Sequence, residues 1–359
     1  MKPLESYYNF SSQVLKVFEE MKNTPQSLIH HGENFVYLHT QMVIDELNKT
    51  KESISTDLYN RLLYVSLFHD IAKPNTTVFE DDDWKSPGHA KLGESMFREF
   101  MWDEVSFRER EEIAALIRFH GLPIFFNEKR DVDNYMIDAS LRCNLSELAH
   151  FSQCDFKGRI CSDLEECLFK IELFKEKAEE LGCLNKPYEF RSDWARLHYF
   201  KKGGYHGVDI FEPEGDWVVV ICGLAGAGKN TWVNNNWDGR IIELDSIRQE
   251  LKIKPTDKKG QGTVAQAAKE KLRESLRKKE PVLWNATNIT KMQRSAIIDL
   301  ALEYRAKIKI VYVNCSLEKA IEQNLGRETG PPRKAIEKMA RKFEMPTLKE
   351  CHQLEITNE

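Results

Sequence analysis

No apolar run in this 359-residue chain approaches the roughly 20 residues needed to cross a bilayer, which excludes a membrane-spanning helix. The start, Met1-Lys-Pro-Leu-Glu-Ser-Tyr-Tyr8, lacks the apolar core of a secretory leader. The eight cysteines contain no Cys-x-x-Cys pair, so neither a zinc knuckle nor a disulfide framework is indicated. Reduced thiols in a cytoplasmic protein, with no membrane partner, are the expectation. Excess positive charge is missing too: 52 Lys and Arg face 57 Asp and Glu, a net charge of −5. Any polyanion site must therefore come from a local patch. Internal repeats and low-complexity segments are also absent. What remains is a globular composition, 41% hydrophobic and 30% charged, on a chain too long for one ordinary core.

Two domains of different class are expected. In residues 1–205 apolar positions recur at helical spacing, as in Val14-Leu15-Val17-Phe18, Leu62-Leu63-Val65-Leu67 and Ile113-Ala114-Leu116-Ile117. Residues 206–216 are polar and turn-rich and read as a linker. In residues 217–359 short apolar strands alternate with helices, at Val218–Cys222, Arg240–Glu243, Val282–Trp284 and Lys307–Val313. That alternation predicts a parallel sheet covered on both faces. The fold class is multidomain, α followed by α/β.

The strongest single motif is Gly223-Leu-Ala-Gly226-Ala227-Gly228-Lys229-Asn230-Thr231, between a strand and a helix. Glycines there let successive backbone N–H groups converge on phosphate oxygens, the helix N-terminus adds positive potential, and Lys229 adds a full charge. A nucleotide phosphate, with Mg²⁺, is the implied ligand. Asn230 stands where Ser or Thr usually holds the metal. Downstream, Asp245 and Arg248 lie at the end of the second strand, which is expected beside the P-loop strand. Asp245 can serve as general base or merely cap the next helix. Asn285, Thr287 and Asn288 follow the third strand, with Arg294 in the helix beyond. Arg327 and Arg333 sit in a Gly- and Pro-containing break that suits a phosphate-closing lid. Between Lys252 and Lys279, ten basic residues face three acidic ones, which suits either a strand-tracking patch or a solvated helix face.

In combination these motifs, over residues 217–350, resemble the P-loop polynucleotide 5′-kinases. The resemblance implies transfer of the γ-phosphate of ATP or GTP, with Mg²⁺, to a 5′-hydroxyl end. It gives Lys229 the phosphates, Asp245 the base role, Arg248 the acceptor's 3′-phosphate, and Arg327 the transition-state charge. Asn230 and Asn285 depart from the family pattern.

The helical half carries His39, His69-Asp70, Lys73, His89, His120, Asp155 and Arg159, spread over predicted helices. Four histidines and two aspartates can converge in a bundle core, and imidazole with carboxylate suits Mn, Fe, Co, Ni or Zn. Lys73 falls one turn after His69. Over residues 25–165 this order resembles the HD-domain metal phosphohydrolases. The resemblance implies an all-helical bundle with one metal on His39, His69, Asp70 and Asp155. A second ion, about 4 Å away, would lie on His89 and His120 with Asp70 bridging. Lys73 and Arg159 would bind substrate phosphate. His30 and His31 could touch phosphate or replace His39, whereas His150, His198, His206 and His352 belong to no pattern.

The domain order resembles the bifunctional HD-domain polynucleotide kinase–phosphatases. It implies RNA or DNA ends as substrates: phosphorylation of 5′-hydroxyls and removal of 2′-phosphate or 2′,3′-cyclic phosphate. An RNA ligase acting in the same repair pathway is the implied partner. A nucleoside or small-molecule kinase fused to a nucleotide phosphohydrolase, and a non-catalytic nucleotide sensor, are the competing readings.

Overall fold

The computed structural model describes residues 1–212, 215–254, 256–257, 259–326 and 330–357. The chain divides into two compact units, Met1–Glu189 and Phe190–Glu359. The division falls upstream of the linker read from the sequence. Helix Asp193–Lys202 belongs to the second unit because Arg196 reaches the chain's C-terminal region, donating to the carbonyls of Leu348, Cys351 and His352.

The first unit is a helical bundle, and several of its helices begin at side-chain caps. Ser11, Ser55, Ser106 and Asn144 each accept from a backbone N–H in the first turn. Helix Thr56–Phe68 is central, with Leu62, Val65, Leu67 and Phe68 fully buried. Helices Val36–Thr50, Phe107–Phe119 and Leu145–Lys157 pack against it. The unit is not wholly helical: β1 (Val78–Glu80) and β2 (Asp83–Lys85) form a hairpin. Asp81 and Asp82 make its turn with positive φ, a conformation that Asp tolerates. Its strands are only three residues long, too short to show alternation.

The second unit holds five parallel strands: β3 (Trp217–Cys222), β4 (Arg240–Glu243), β5 (Val282–Asn285), β6 (Lys307–Val313) and β7 (Gln353–Thr357). Their order is β4-β5-β3-β6-β7, so β5, not β4, adjoins the P-loop strand. That corrects the expected neighbour and puts Asn285 closer to the loop than Asp245. β7 is absent from the expected strands, although Gln353-Leu-Glu-Ile-Thr357 alternates polar and apolar residues as a half-buried edge strand does.

Arg294, a candidate phosphate-site residue, is instead fully buried in the core of this unit. Its Nε and Nη2 donate to Glu350 at 2.8 and 3.0 Å, and Nη1 donates to the Asn288 carbonyl. Breaking one side of such a pair strands a buried charge. Arg294→Met should lower unfolding stability by about 3–5 kcal/mol, and Arg294→Met with Glu350→Leu should recover most of it. Denaturant unfolding of the two variants checks this.

Candidate metal centre and P-loop

Three of the four central histidines are held by carbonyls just before them. His69 Nδ1 donates to Ser66 O at 2.9 Å, His89 Nδ1 to Ser86 O at 2.7 Å, and His120 Nδ1 to Ile117 O at 2.8 Å. His69 and His120 directly follow helices Thr56–Phe68 and Phe107–Phe119, where the last carbonyls have no intrahelical partner. A carbonyl can only accept, so these contacts put the proton on Nδ1 and turn Nε2 inward. The Nε2 atoms meet: His39 and His69 are 3.4 Å apart, His89 and His120 3.2 Å.

Asp70 lies between the two histidine pairs. Its Oδ2 is 3.2 Å from His69 Nε2 and 3.9 Å from His39 Nε2, while Oδ1 is 3.5 Å from His89 Nε2. Asp155 joins the first pair, with Oδ1 3.0 Å from His39 Nε2 and 4.0 Å from His69 Nε2. Hence His39, His69, Asp70 and Asp155 converge on one side of Asp70, and His89 and His120 on the other. Asp70 and Asp155 are almost wholly buried, and among the described residues Asp70 Oδ1 has no hydrogen-bond partner. A buried carboxylate oxygen without a donor is costly unless a cation meets it.

The electrostatics favour a cation as well. Burial opposes ionisation of Asp70, but Lys73, His69 and His89 outweigh it and hold the carboxyl well below its usual range. Burial likewise opposes Asp155, whose carboxyl Arg159 and His39 hold well down. Burial, with His89 and His69 nearby, pushes His120 down to about 3, keeping it neutral and able to ligate. Burial also lowers His89. His39 goes the other way: burial lowers it, but hydrogen bonds to Asp155 and Glu33 prevail and raise it. A divalent ion at His39 Nε2 would take that proton's place.

Around the cluster lie donors suited to a phosphate. Lys73 Nζ is 2.7 Å from Asp70 Oδ2 and also donates to Gln26 Oε1. Arg159 pairs with Asp155 through Nε and Nη2. Gln26, unmarked in the sequence, is buried with Nε2 unsatisfied. His31 is buried and pushed down to about 3, first by burial. Its ring packs edge-on against His39, and its Nδ1 donates to Glu33. His30 is largely exposed and lies 3.8 Å from Asp163. His150 bonds Thr50, and His352 accepts from the Ile308 N–H, which are packing roles.

In the second unit, the loop after β3 turns through positive φ at Gly223, Gly226 and Gly228 and opens helix Lys229–Asn236. At Gly226 a Cβ would fall 2.0 Å from the Ala320 carbonyl, so only glycine fits. Ala227 is buried beneath the loop, while Asn230 and Thr231 are exposed. Lys229 Nζ donates to the carbonyls of Gly223 and Leu224. The Gly223 N–H donates to Thr287 O, which seats the loop on the segment after β5.

Asn285 Nδ2 donates to Asn230 Oδ1 at 3.0 Å and to Glu243 Oε1 at 3.1 Å. Thus the residue after the P-loop lysine is linked to Glu243, a strand-end carboxylate that sequence reading passed over. Its signal was register, since Glu243 and Asn285 are partners across β4 and β5. Asp245 lies in the first turn of helix Leu244–Glu250, its side chain 77% exposed, and takes a hydrogen bond from Arg248 Nη1. Arg248 Nε donates to Gln261.

Asn288 is drawn off the site: it is buried, and its Nδ2 donates to Ile221 O at 2.6 Å. Arg333 begins helix Arg333–Arg341 and pairs with Glu318 and Glu337 on the surface. Arg327 lies outside the described residues. The basic stretch is partly neutralised on helix Gly260–Lys278, where Glu270 pairs with Arg273 and Arg277 and Lys271 with Glu250.

A parallel sheet, a glycine-rich loop after its central strand and a helix beginning at Lys229 define a P-loop, kinase-like domain. Residues 218–346 match the family model described as an AAA domain. A gluconokinase from Sinorhizobium meliloti 1021 aligns over 42% of this chain and 86% of its own, with 15% identity and a TM-score of 0.29. That likeness is too slight to bear on fold or function. No helix among the described residues is long and apolar enough to cross a membrane.

Proposed function

We propose that the chain is a two-activity enzyme that heals nucleic-acid ends. Its P-loop unit phosphorylates 5′-hydroxyl ends from ATP or GTP with Mg²⁺. Its helical unit is an HD-type phosphohydrolase that removes 2′-phosphate or 2′,3′-cyclic phosphate. The observation that carries this reading is Asp70, whose two oxygens face two separate histidine pairs beside Lys73.

The residues present fit two divalent transition-metal ions. His39, His69, Asp70 and Asp155 would hold one, and His89, His120 and Asp70 the other. Bound there, such ions supply Lewis-acid polarisation of phosphoryl oxygens. The chain's own groups do the rest. Lys73, Arg159 and Gln26 Nε2 bind and orient the phosphate, and the buried surroundings strengthen each contact. In the P-loop unit Lys229 draws the donor phosphates to the helix N-terminus, Asp245 accepts the proton of the attacking hydroxyl, and Arg248 holds the acceptor's phosphate. A ribonuclease-type break leaves both ends that these chemistries repair, and a ligase would then seal them.

End analysis of a short RNA bearing a 5′-hydroxyl and a 2′,3′-cyclic phosphate, incubated with ATP, Mg²⁺ and Mn²⁺, tests the reading. A 5′-phosphate and a free 3′-terminal diol are expected. Phosphorylation of free nucleosides with none of the RNA would instead establish a small-molecule kinase.

A further inference from the structure

His39 differs from the other three histidines in how it is held. It lies inside helix Val36–Thr50, where the carbonyl three residues back, that of Val36, is already taken by the Thr40 hydroxyl. Its Nδ1 therefore needs an acceptor from outside the helix. The Gly158 carbonyl accepts from it at 3.3 Å, and Glu33 Oε1 lies 3.1 Å from the same nitrogen, at ion-pair distance. The same Oε1 accepts from His31 Nδ1 at 2.8 Å, and Oε2 accepts from the Ile160 N–H at 3.0 Å. The Glu33 side chain is fully buried.

We infer that Glu33 is the positioning carboxylate of the metal centre, aiming His39 Nε2 at the Asp70–Asp155 side and holding His31 against the same site. This rests on the reading of the cluster as a metal centre. All three partners of Glu33 are N–H donors, and a carboxylate offers acceptors only. Glutamine cannot replace it, because its NH₂ must face at least one of those donors. Outer carboxylates on metal-bound imidazoles fix ring orientation and raise ligand basicity, and losing one costs 10–100-fold in metal affinity. Glu33 also joins three chain segments: the loop before helix Val36–Thr50, that helix, and the segment just after Asp155 and Arg159.

The test is Mn²⁺ and Co²⁺ titration by calorimetry of wild type, Glu33→Gln and Glu33→Asp, with the visible spectrum of each Co²⁺ form. Glu33→Gln should bind about 10–100-fold more weakly with a shifted Co²⁺ spectrum, and Glu33→Asp should fall between. A folded Glu33→Gln with wild-type affinity and spectrum overturns the inference alone. Should Glu33→Gln fail to fold, wild-type affinity in Glu33→Asp overturns it equally. Wild type that binds neither metal overturns the metal-centre reading and the inference with it.

Discussion

Asp70→Asn is expected to end phosphate release while 5′-phosphorylation continues at the wild-type rate. Asp70 serves both histidine pairs at once, with Oδ2 toward His39 and His69 and Oδ1 toward His89. The amide removes the one charge shared by both positions and leaves Lys73 facing a neutral group. Outer-shell losses already cost 10–100-fold, so removal of a shared ligand should cost at least about 100-fold. Release of inorganic phosphate from a 2′-phosphate-terminated RNA measures the first activity, and ³²P transfer to a 5′-hydroxyl RNA the second. Equal loss of both would mean that the two activities share one site.

The reciprocal result belongs to Asp245. Asp245→Ala should lower 5′-phosphorylation by about 10²–10⁴-fold, the usual contribution of a general base. Phosphate release by the helical unit should be unaffected. The side chain is exposed and engaged with Arg248, so its removal breaks no core contact, and a loss of rate would report chemistry rather than unfolding. Full-rate transfer by this variant would remove Asp245 from the mechanism and turn attention to Glu243. That carboxylate is joined to Asn230 through Asn285.

The sequence made some of this legible because the relevant signals are local. The P-loop is one contiguous string between an apolar strand and a helix. His69, Asp70 and Lys73 likewise lie within one turn. Their convergence with His39, His89, His120 and Asp155 was open from the residue types on helices, and only the resemblance to a known family divided them into two ligand sets. Gln26 and Glu33 were missed because their importance lies in what they touch: Lys73 in one case, two imidazoles and an N–H in the other. Arg294 and Asn288 were over-read for the same reason. Polar side chains after a strand look alike in sequence, whether they face a ligand or, as here, close the core around Glu350 and Ile221. Strand order was also hidden, because neither β4 nor β5 carries a mark of which one pairs with β3.

The most direct test of the central claim is metal stoichiometry. Wild-type chain loaded with Mn²⁺, desalted and analysed by mass spectrometry of the metal should carry two ions per chain, and Asp70→Asn should retain neither. A wild-type chain that retains no Mn²⁺, Co²⁺, Ni²⁺, Fe²⁺ or Zn²⁺ would contradict it, as would an Asp70→Asn chain that still carries two.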